Sequence, residues 1–325
     1  VKTSDKIIEI ISKQGSVTAK QLYRTLPINQ SAVFKQLSRL IKDHKVIKTG
    51  KVPKVYYMLP SDLDLTLDDR FEIDNKTKTA INNNFMYISF NGERIDGWSG
   101  FVVWCRERNI NVIKSAKKYL SILNKNNRYK KDHLIDGMTK MRSSFTDVAL
   151  DKIFYIDFYS YEIFGKTKLG QLLLYAKQSQ DRTMINQVAD IAKPVVEELI
   201  RNYKIDGIGF IPPTVKRDIQ FMNQLEARLN LNIGEINIVK LKTPIVIPQK
   251  TLSKIEDRIL NAKQTIQIDG EKRYNNILLI DDAVGSGSTL NEVAKKIRQK
   301  NLCKGNIIGL AVVGSFKGFE VISEV

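Results

Sequence analysis

The 325-residue chain carries 52 Lys/Arg against 35 Asp/Glu, a formal net charge of +17, with 42% hydrophobic residues and two cysteines. That length accommodates two or three domains with cores of their own, and the composition is that of an ordinary folded chain. Cys105, Cys303, His44 and His133 have no near neighbours of their kind, which argues against a zinc site or a disulfide framework and suits a reducing cytoplasm. No apolar run approaches the roughly 20 residues of a membrane helix and no leader-like segment is visible, so the expectation is a cytoplasmic protein with no membrane partner.

The positive charge is uneven. Residues 1–60 hold 12 Lys/Arg against 3 Asp/Glu, about half of the excess. Such asymmetry points to a polyanion, nucleic acid before membrane. In this segment Ile7, Ile8, Ile10 and Ile11 recur at helical spacing before Gly15. Thr18 is a good N-cap for a second helix that Pro27 stops. Asn29–Lys45 reads as a third helix with Val33, Leu37, Leu40 and Ile41 facing inward. Val46–Lys48 and Val52–Leu59 read as two strands around Thr49-Gly50-Lys51. Three helices followed by a basic hairpin resemble a winged-helix DNA-binding domain. The resemblance implies that Gln30, Ser31, Lys35, Ser38 and Arg39 face the major groove and that Lys48, Lys51 and Lys54 lie on the wing. The implied partner is DNA or a structured nucleic acid, held in a salt-dependent way. The bland alternative is a dimerisation domain with a solvated basic face.

Residues 61–84 read as an acidic and polar linker, with Asp62, Asp64, Asp68, Asp69, Glu72 and Asp74 against Arg70. Residues 85–150 resemble no family. Trp98, Phe101, Val102, Val103 and Trp104 form a compact apolar group that reads as core. Residues 106–142 carry 11 Lys/Arg against 3 Asp/Glu, either a solvated helical face or a second nucleic-acid surface. A second copy or a protein partner could engage this middle region.

From residue 151 strands alternate with helices, which implies a mostly parallel sheet. Ile153–Phe158, Ile205–Ile211, Ile236–Leu241, Ile277–Ile280 and Ile307–Val313 read as strands. Helices are expected from Leu169 to about Lys177, over Ile185–Tyr203 around Pro194, and over Met222–Leu229, and Gln249–Ala262 is a polar, charged stretch. Ile277–Leu290 reads ILLIDDAVGSGSTL: a doubly buried strand, the tandem carboxylates Asp281 and Asp282, the small-residue loop Gly285-Ser286-Gly287-Ser288-Thr289, then a helix. Backbone N–H groups of such a loop, its hydroxyls and the helix N-terminus can close around a phosphate. The carboxylates stand where they can accept hydrogen bonds from vicinal ribose hydroxyls and face a hydrated Mg2+ ion. No Lys follows the glycines, as a nucleotide-binding P-loop requires, and Leu290 replaces the third glycine of a dinucleotide fingerprint.

This string resembles the phosphoribosyl-pyrophosphate (PRPP) loop of type I phosphoribosyltransferases. The resemblance implies an α/β doubly wound parallel sheet over residues 151–325, ribose contacts from Asp281 and Asp282, and a 5′-phosphate on Gly285–Thr289. Gly285 stands where relatives often carry Thr or an acid, so a general base there is absent. The half-chain is most similar to the ComF-like branch, through Ile211-Pro212-Pro213, Phe221-Met222-Asn223-Gln224, Thr243, Gln249, Ser253, Arg258 and Asn261. The Arg-Gly that usually precedes the second element is missing, which moves pyrophosphate contact toward Lys216 and Arg217, with Arg258 as the cation at the leaving group. The whole is expected to be multidomain: winged helix, middle segment and phosphoribosyltransferase-like domain. Three functions follow from that assembly: an enzyme that transfers or cleaves the ribosyl group of a PRPP-like compound, a PRPP-sensing DNA-binding regulator similar in plan to the Gram-positive purine repressor, and a toxin or effector of an anti-phage, retron-like system restrained by bound nucleic acid.

Overall fold

The computed structural model describes residues 3–43, 45–59, 71–241, 252 and 254–315. Most of the acidic linker, His44, the Lys51 side chain, and Thr243, Gln249 and Ser253 of the ComF-like pattern lie outside the described residues. The chain divides into two compact units, Val1–Ser121 and Ile122–Val325.

The first unit opens with α1 (Thr3–Gln14), β1 (Ser16–Val17), α2 (Ala19–Thr25), α3 (Gln30–Lys42), β2 (Ile47–Lys51) and β3 (Lys54–Met58). The helices start where the sequence supplies caps. Thr18 and Gln21 form a capping box, and the Asn29 side chain accepts from Ala32 N at 2.8 Å. The three strands form an antiparallel sheet in the order β1-β3-β2. Ile7, Ile11, Val17, Leu22, Val33, Leu37, Leu40 and Tyr57 bury against one another beneath it. Then come α4 (Asn75–Asn84), the hairpin β4 (Met86–Ile88) and β5 (Arg94–Asp96), and α5 (Gly97–Glu107). The tryptophan-rich stretch is indeed core: Phe101 lies within 6.1 Å of the rings of Phe85, Trp98, Trp104 and Tyr119. Tyr119 donates its hydroxyl proton to Asn84 O at 2.9 Å, giving the buried phenol the partner it needs.

The division between units falls within α6 (Val112–Asn127). The second unit then runs β6 (Lys130–Lys131), β7 (Leu134–Asp136), α7 (Met138–Ser144), β8 (Lys152–Phe158), the small hairpin β9 (Ser160–Tyr161) and β10 (Gly165–Lys166), α8 (Lys168–Ser179), α9 (Arg182–Tyr203), β11 (Gly207–Phe210), α10 (Phe221–Leu229), β12 (Gly234–Glu235), β13 (Asn237–Lys240), α11 (Ile255–Thr265), β14 (Ile266–Asp269), β15 (Ile277–Val284), α12 (Ser288–Gln299) and β16 (Ile307–Gly314). Pro194 sits inside the 22-residue α9 without ending it.

Seven strands form one sheet in the order β12-β11-β15-β16-β8-β7-β6. The first five are mutually parallel. β7 runs antiparallel to β8, and β6 antiparallel to β7, so the sheet is mixed, and it takes in residues 130–136, upstream of the expected start at 151. The strand expected over Ile236–Leu241 splits. Gly234–Glu235 supplies the parallel edge, while β13 leaves the sheet to pair antiparallel with β14. The chain moves one way along the sheet from β8 to β11 to β12, and the other way from β15 to β16. Right-handed crossovers in opposite directions place the intervening helices on opposite faces. That is the wrapping expected of an α/β domain.

Candidate functional site

β15 lies in the middle of the sheet, and Ile277–Ile280 are at most 1% exposed, which is why four successive apolar residues suit it. On one side it pairs with β16 as far as Val284↔Gly314. On the other it pairs with β11 only as far as Phe210↔Ile280, after which Ile211 N donates to Ile280 O. Pro212 and Pro213 have no N–H with which to continue that ladder. Asp281–Val284 therefore project past the end of β11 with one edge open. The helices after β11 and β15 depart in opposite directions, which makes the gap between these strands a topological switch point, the place where open α/β sheets take ligands.

A cavity of about 260 Å³ occupies that gap. Among the sequence-predicted residues its wall includes Asp281, Asp282, Gly285, Thr289, Arg217 and Arg258. Lys216, Ser286, Gly287 and Ser288 are not part of the wall. Ser286 and Ser288 are buried, and their hydroxyls engage each other at 3.1 Å, while Ser288 N donates to Ser286 Oγ at 3.2 Å. These hydroxyls shape the loop from within. Gly287 caps α12 with φ +81, a left-handed conformation, and a Cβ there would collide with the Met141 sulfur of α7. Asn291, wholly buried on α12, donates to Asp147 O at 2.9 Å and accepts from Ala149 N at 2.8 Å, fastening the helix to the chain before β8.

Two further lysines line the cavity, and sequence reasoning missed both. Lys177 Nζ of α8 stands 2.7 Å from Asp282 Oδ2. Lys240 Nζ of β13 donates to Thr214 Oγ1 at 2.8 Å. The signal was in the spacing. Lys177 follows buried Leu173 by four residues, on the apolar stripe of its helix. Lys240 follows buried Ile236 and Ile238 in steps of two, on the inward side of its strand.

The electrostatics follow from this enclosure. Burial, and then the Asp282 charge, push Asp281 up to about 7, although it accepts the Asp282 backbone N–H at 2.8 Å. Burial tends to lower Lys177, but the charges of Asp282 and Asp281 prevail and its pKa is raised. Burial lowers Lys240, against the pull of Asp281. Burial also brings Arg258 down to about 10, which leaves it cationic at neutral pH; its Nε donates to Leu252 O at 2.6 Å. Four cationic side chains thus converge with two carboxylates, an arrangement that favours a polyanion carrying hydroxyl groups.

The donor set fits magnesium in one manner. Two hard carboxylates stand side by side, and burial together with the neighbouring Asp282 charge holds Asp281 above the usual carboxylate range. Among the described residues there is no group of three or more His, Cys, Asp or Glu that could cage an ion. The pair suits a hydrated ion held mainly by a ligand's phosphates.

In the first unit Gln30, Ser31, Lys35, Ser38 and Arg39 are all exposed on α3, and Lys48 and Lys54 are exposed on the hairpin. Phe34, 43% exposed on α3, and Tyr56, 41% exposed on β3, add aromatic surface that the sequence reading passed over.

A mixed α/β sheet with a charged crevice at the carboxyl ends of its central strands defines the class: an α/β domain whose crevice lies where such sheets take ligands. Comparison with known proteins gives that class a more particular form. The chain is similar to adenine phosphoribosyltransferases of Shewanella frigidimarina (28% identity over 122 residues, 37% of this chain and 64% of that protein) and Mannheimia succiniciproducens (26% identity over 122 residues, with the same coverage). These distant relatives support a type I phosphoribosyltransferase domain. The chain spans just under two thirds of the length of these relatives. No protein-family model matches it. A hypoxanthine phosphoribosyltransferase structure from Staphylococcus aureus overlaps 40% of this chain and 72% of its own at 12% identity, with a TM-score of 0.23, too low to bear on the fold. Among the described residues no helix is long and apolar enough to cross a membrane.

Proposed function

We propose that the second unit binds PRPP, or a related ribose 5-phosphate compound, with Mg2+ and transfers or cleaves its ribosyl group. The relatives support PRPP-utilising transfer in general. The observation that carries the reading is the convergence of Asp281 and Asp282, the loop before α12, and the cations Arg217, Lys240 and Arg258 on one cavity.

The chemistry divides among these groups. Asp281 and Asp282 accept hydrogen bonds from the two ribose hydroxyls and fix the ring. The backbone from Gly285 to Thr289, at the start of the 12-residue α12, receives the 5′-phosphate, and the Thr289 hydroxyl is the side-chain donor on the wall. Arg217 and Arg258 stand ready for the pyrophosphate as its bond to the anomeric carbon breaks and charge gathers on the leaving oxygens; Arg258 presents a planar fork suited to a diphosphate edge. Asp281 and Asp282 would hold Mg2+ through water, and the ion would supply charge neutralisation at the pyrophosphate. The ComF-like assignment belongs to this proposal, supported by the proline-terminated β11 and by Arg258 at the cavity wall.

Residues 1–60 of the first unit, read as a winged helix, would carry this activity to DNA or a structured nucleic acid through α3 and the β2–β3 hairpin. Its support is the exposure of the basic residues there. The sensor reading is favoured by Gly285, which leaves the loop without the acid that some relatives place there.

Pyrophosphate release from PRPP with MgCl2, abolished in an Asp281→Asn/Asp282→Asn variant, is the expected result. PRPP binding without turnover, accompanied by altered DNA affinity, selects the sensor. No calorimetric heat from PRPP at saturating MgCl2 would overturn both.

A further inference from the structure

Asp282 already has a counter-ion from within the chain. Lys177 reaches Asp282 from α8 at 2.7 Å, with the two side chains 31% and 17% exposed. Lys240 approaches from β13, close enough for its charge to act on Asp281. Lys177 is in direct contact with Asp282, whereas Lys240 is held by Thr214 and acts on Asp281 through its charge alone, and neither lysine belongs to the loop that follows the acids. Tandem carboxylates at a strand end, left to themselves, attract divalent cations, because two adjacent hard anions in a partly desolvated place lack a counter-ion. Here an ammonium group holds that position.

We propose that Lys177 is a specificity-determining residue that keeps divalent metal off the Asp281–Asp282 pair in the free protein. Metal then enters only together with a ligand whose own phosphates carry it. An ammonium group in direct contact with Asp282 repels an approaching dication and occupies the oxygen that the dication's water would use. It does not repel a sugar hydroxyl. A neutral donor can share the carboxylate oxygens, since each accepts more than one hydrogen bond. The pair therefore presents itself to hydroxyl groups and excludes a bare ion. An incoming phosphate gains an additional cation if Lys177 swings from Asp282 toward it, so ligand binding and release of the acid are linked on one flexible side chain. The proposal rests on the phosphoribosyl reading for the identity of the ligand, but not for the exclusion of metal.

The test is Mn2+ titration of the full chain, with MnCl2 alone as probe and free Mn2+ read by electron paramagnetic resonance. Wild type is expected to leave Mn2+ free, and Lys177→Met to bind about one ion per chain, tighter by on the order of tenfold or more. Lys177→Arg should restore exclusion. Adding Asp282→Asn to Lys177→Met should abolish the new site. Lys177→Gln serves as the second neutral variant should Lys177→Met fail to give a cooperative thermal melt. Equal Mn2+ binding by wild type and both neutral variants, or binding by none of them, overturns the proposal. PRPP binding measured on the same samples separates the two ideas: its absence sinks the ribosyl reading and leaves the metal result standing.

Discussion

The two units use charge in opposite ways. In the second unit the charged groups converge: Lys177, Arg217, Lys240 and Arg258 approach two carboxylates around a cavity of about 260 Å³, and enclosure shifts several of their pKa values. In the first unit the charges diverge. Lys35, Arg39, Lys48 and Lys54 point into solvent, and the Arg39–Asp43 pair is 3.9 Å apart with both side chains largely exposed. Convergent charge in a low-dielectric crevice makes each group depend on the others. Divergent charge in water is screened, so each group counts for little and adds to the rest. The contrast sets the scale of every substitution.

The largest effect belongs to the convergent site. Replacing Asp281 and Asp282 together by Asn removes two charged acceptors, each worth roughly 1.5–3 kcal/mol to a hydrogen-bonded ligand. PRPP affinity should fall by about two orders of magnitude or more in calorimetry. A loss of only a few-fold would place the ribose elsewhere.

Next is the loop geometry. Gly287→Ala forces a Cβ into the Met141 sulfur at a left-handed φ of +81, and should destabilise the second unit by roughly 1–3 kcal/mol. Thermal melting would register it. Met141→Ala in the same background should recover only the steric part, because the backbone strain persists.

Asp206 gives the pH arm. It accepts from Asn275 N at 2.8 Å, Asn276 N at 2.8 Å and Asn275 Nδ2 at 2.7 Å, tying the entry of β11 to that of β15. Burial pushes its carboxyl up, but these hydrogen bonds outweigh burial and hold its pKa below the ordinary 3.8. A depressed folded pKa contributes stability that is present above the unfolded value, and that stability is lost as pH falls through the folded one. Asp206→Asn should therefore melt lower than wild type at pH 7, with the gap closing below about pH 4. A gap that persists at pH 2 would mean that Asp206 acts by shape and not by charge.

How much of this the sequence disclosed follows the same contrast. The string from Ile277 to Leu290 was legible because strand, acids, glycines and helix are contiguous, and local spacing was enough to read them. Lys177 and Lys240 were not read. They lie 104 and 41 positions before Asp281 in the chain, and only the crossover of the sheet brings them to it. The division of Gly234–Lys240 between two sheets was equally hidden. An alternating strand pattern states which face is apolar, but it does not say which neighbour it pairs with. The antiparallel edge strands, of two and three residues, are too short to carry a period. The helices of the first unit were legible through their caps and its charge through composition alone, but the hairpin turn expected at Thr49-Gly50-Lys51 falls at Val52-Pro53, because those three residues pair with Tyr56, Val55 and Lys54 inside the ladder.

The smallest expected effects test the divergent half. If the first unit holds nucleic acid through exposed cations, then Lys35→Ala, Lys48→Ala and Lys54→Ala should each weaken binding of a DNA duplex by a few-fold, and should do so equally for unrelated sequences. Each should also lower the slope of log affinity against log salt by about 1. Their effects should add, since screened charges on a solvated surface do not couple. Phe34→Ala is the sharper probe. An aromatic ring 43% exposed on α3 has no electrostatic part in binding, so its loss should leave the salt slope unchanged. If it nonetheless alters preference among duplexes, the helix touches base edges or thymine methyl groups and not phosphates alone. Strong coupling among the three lysines, or a single one that abolishes binding, would show that this surface encloses its ligand as the second unit does, and the contrast between the two would fail.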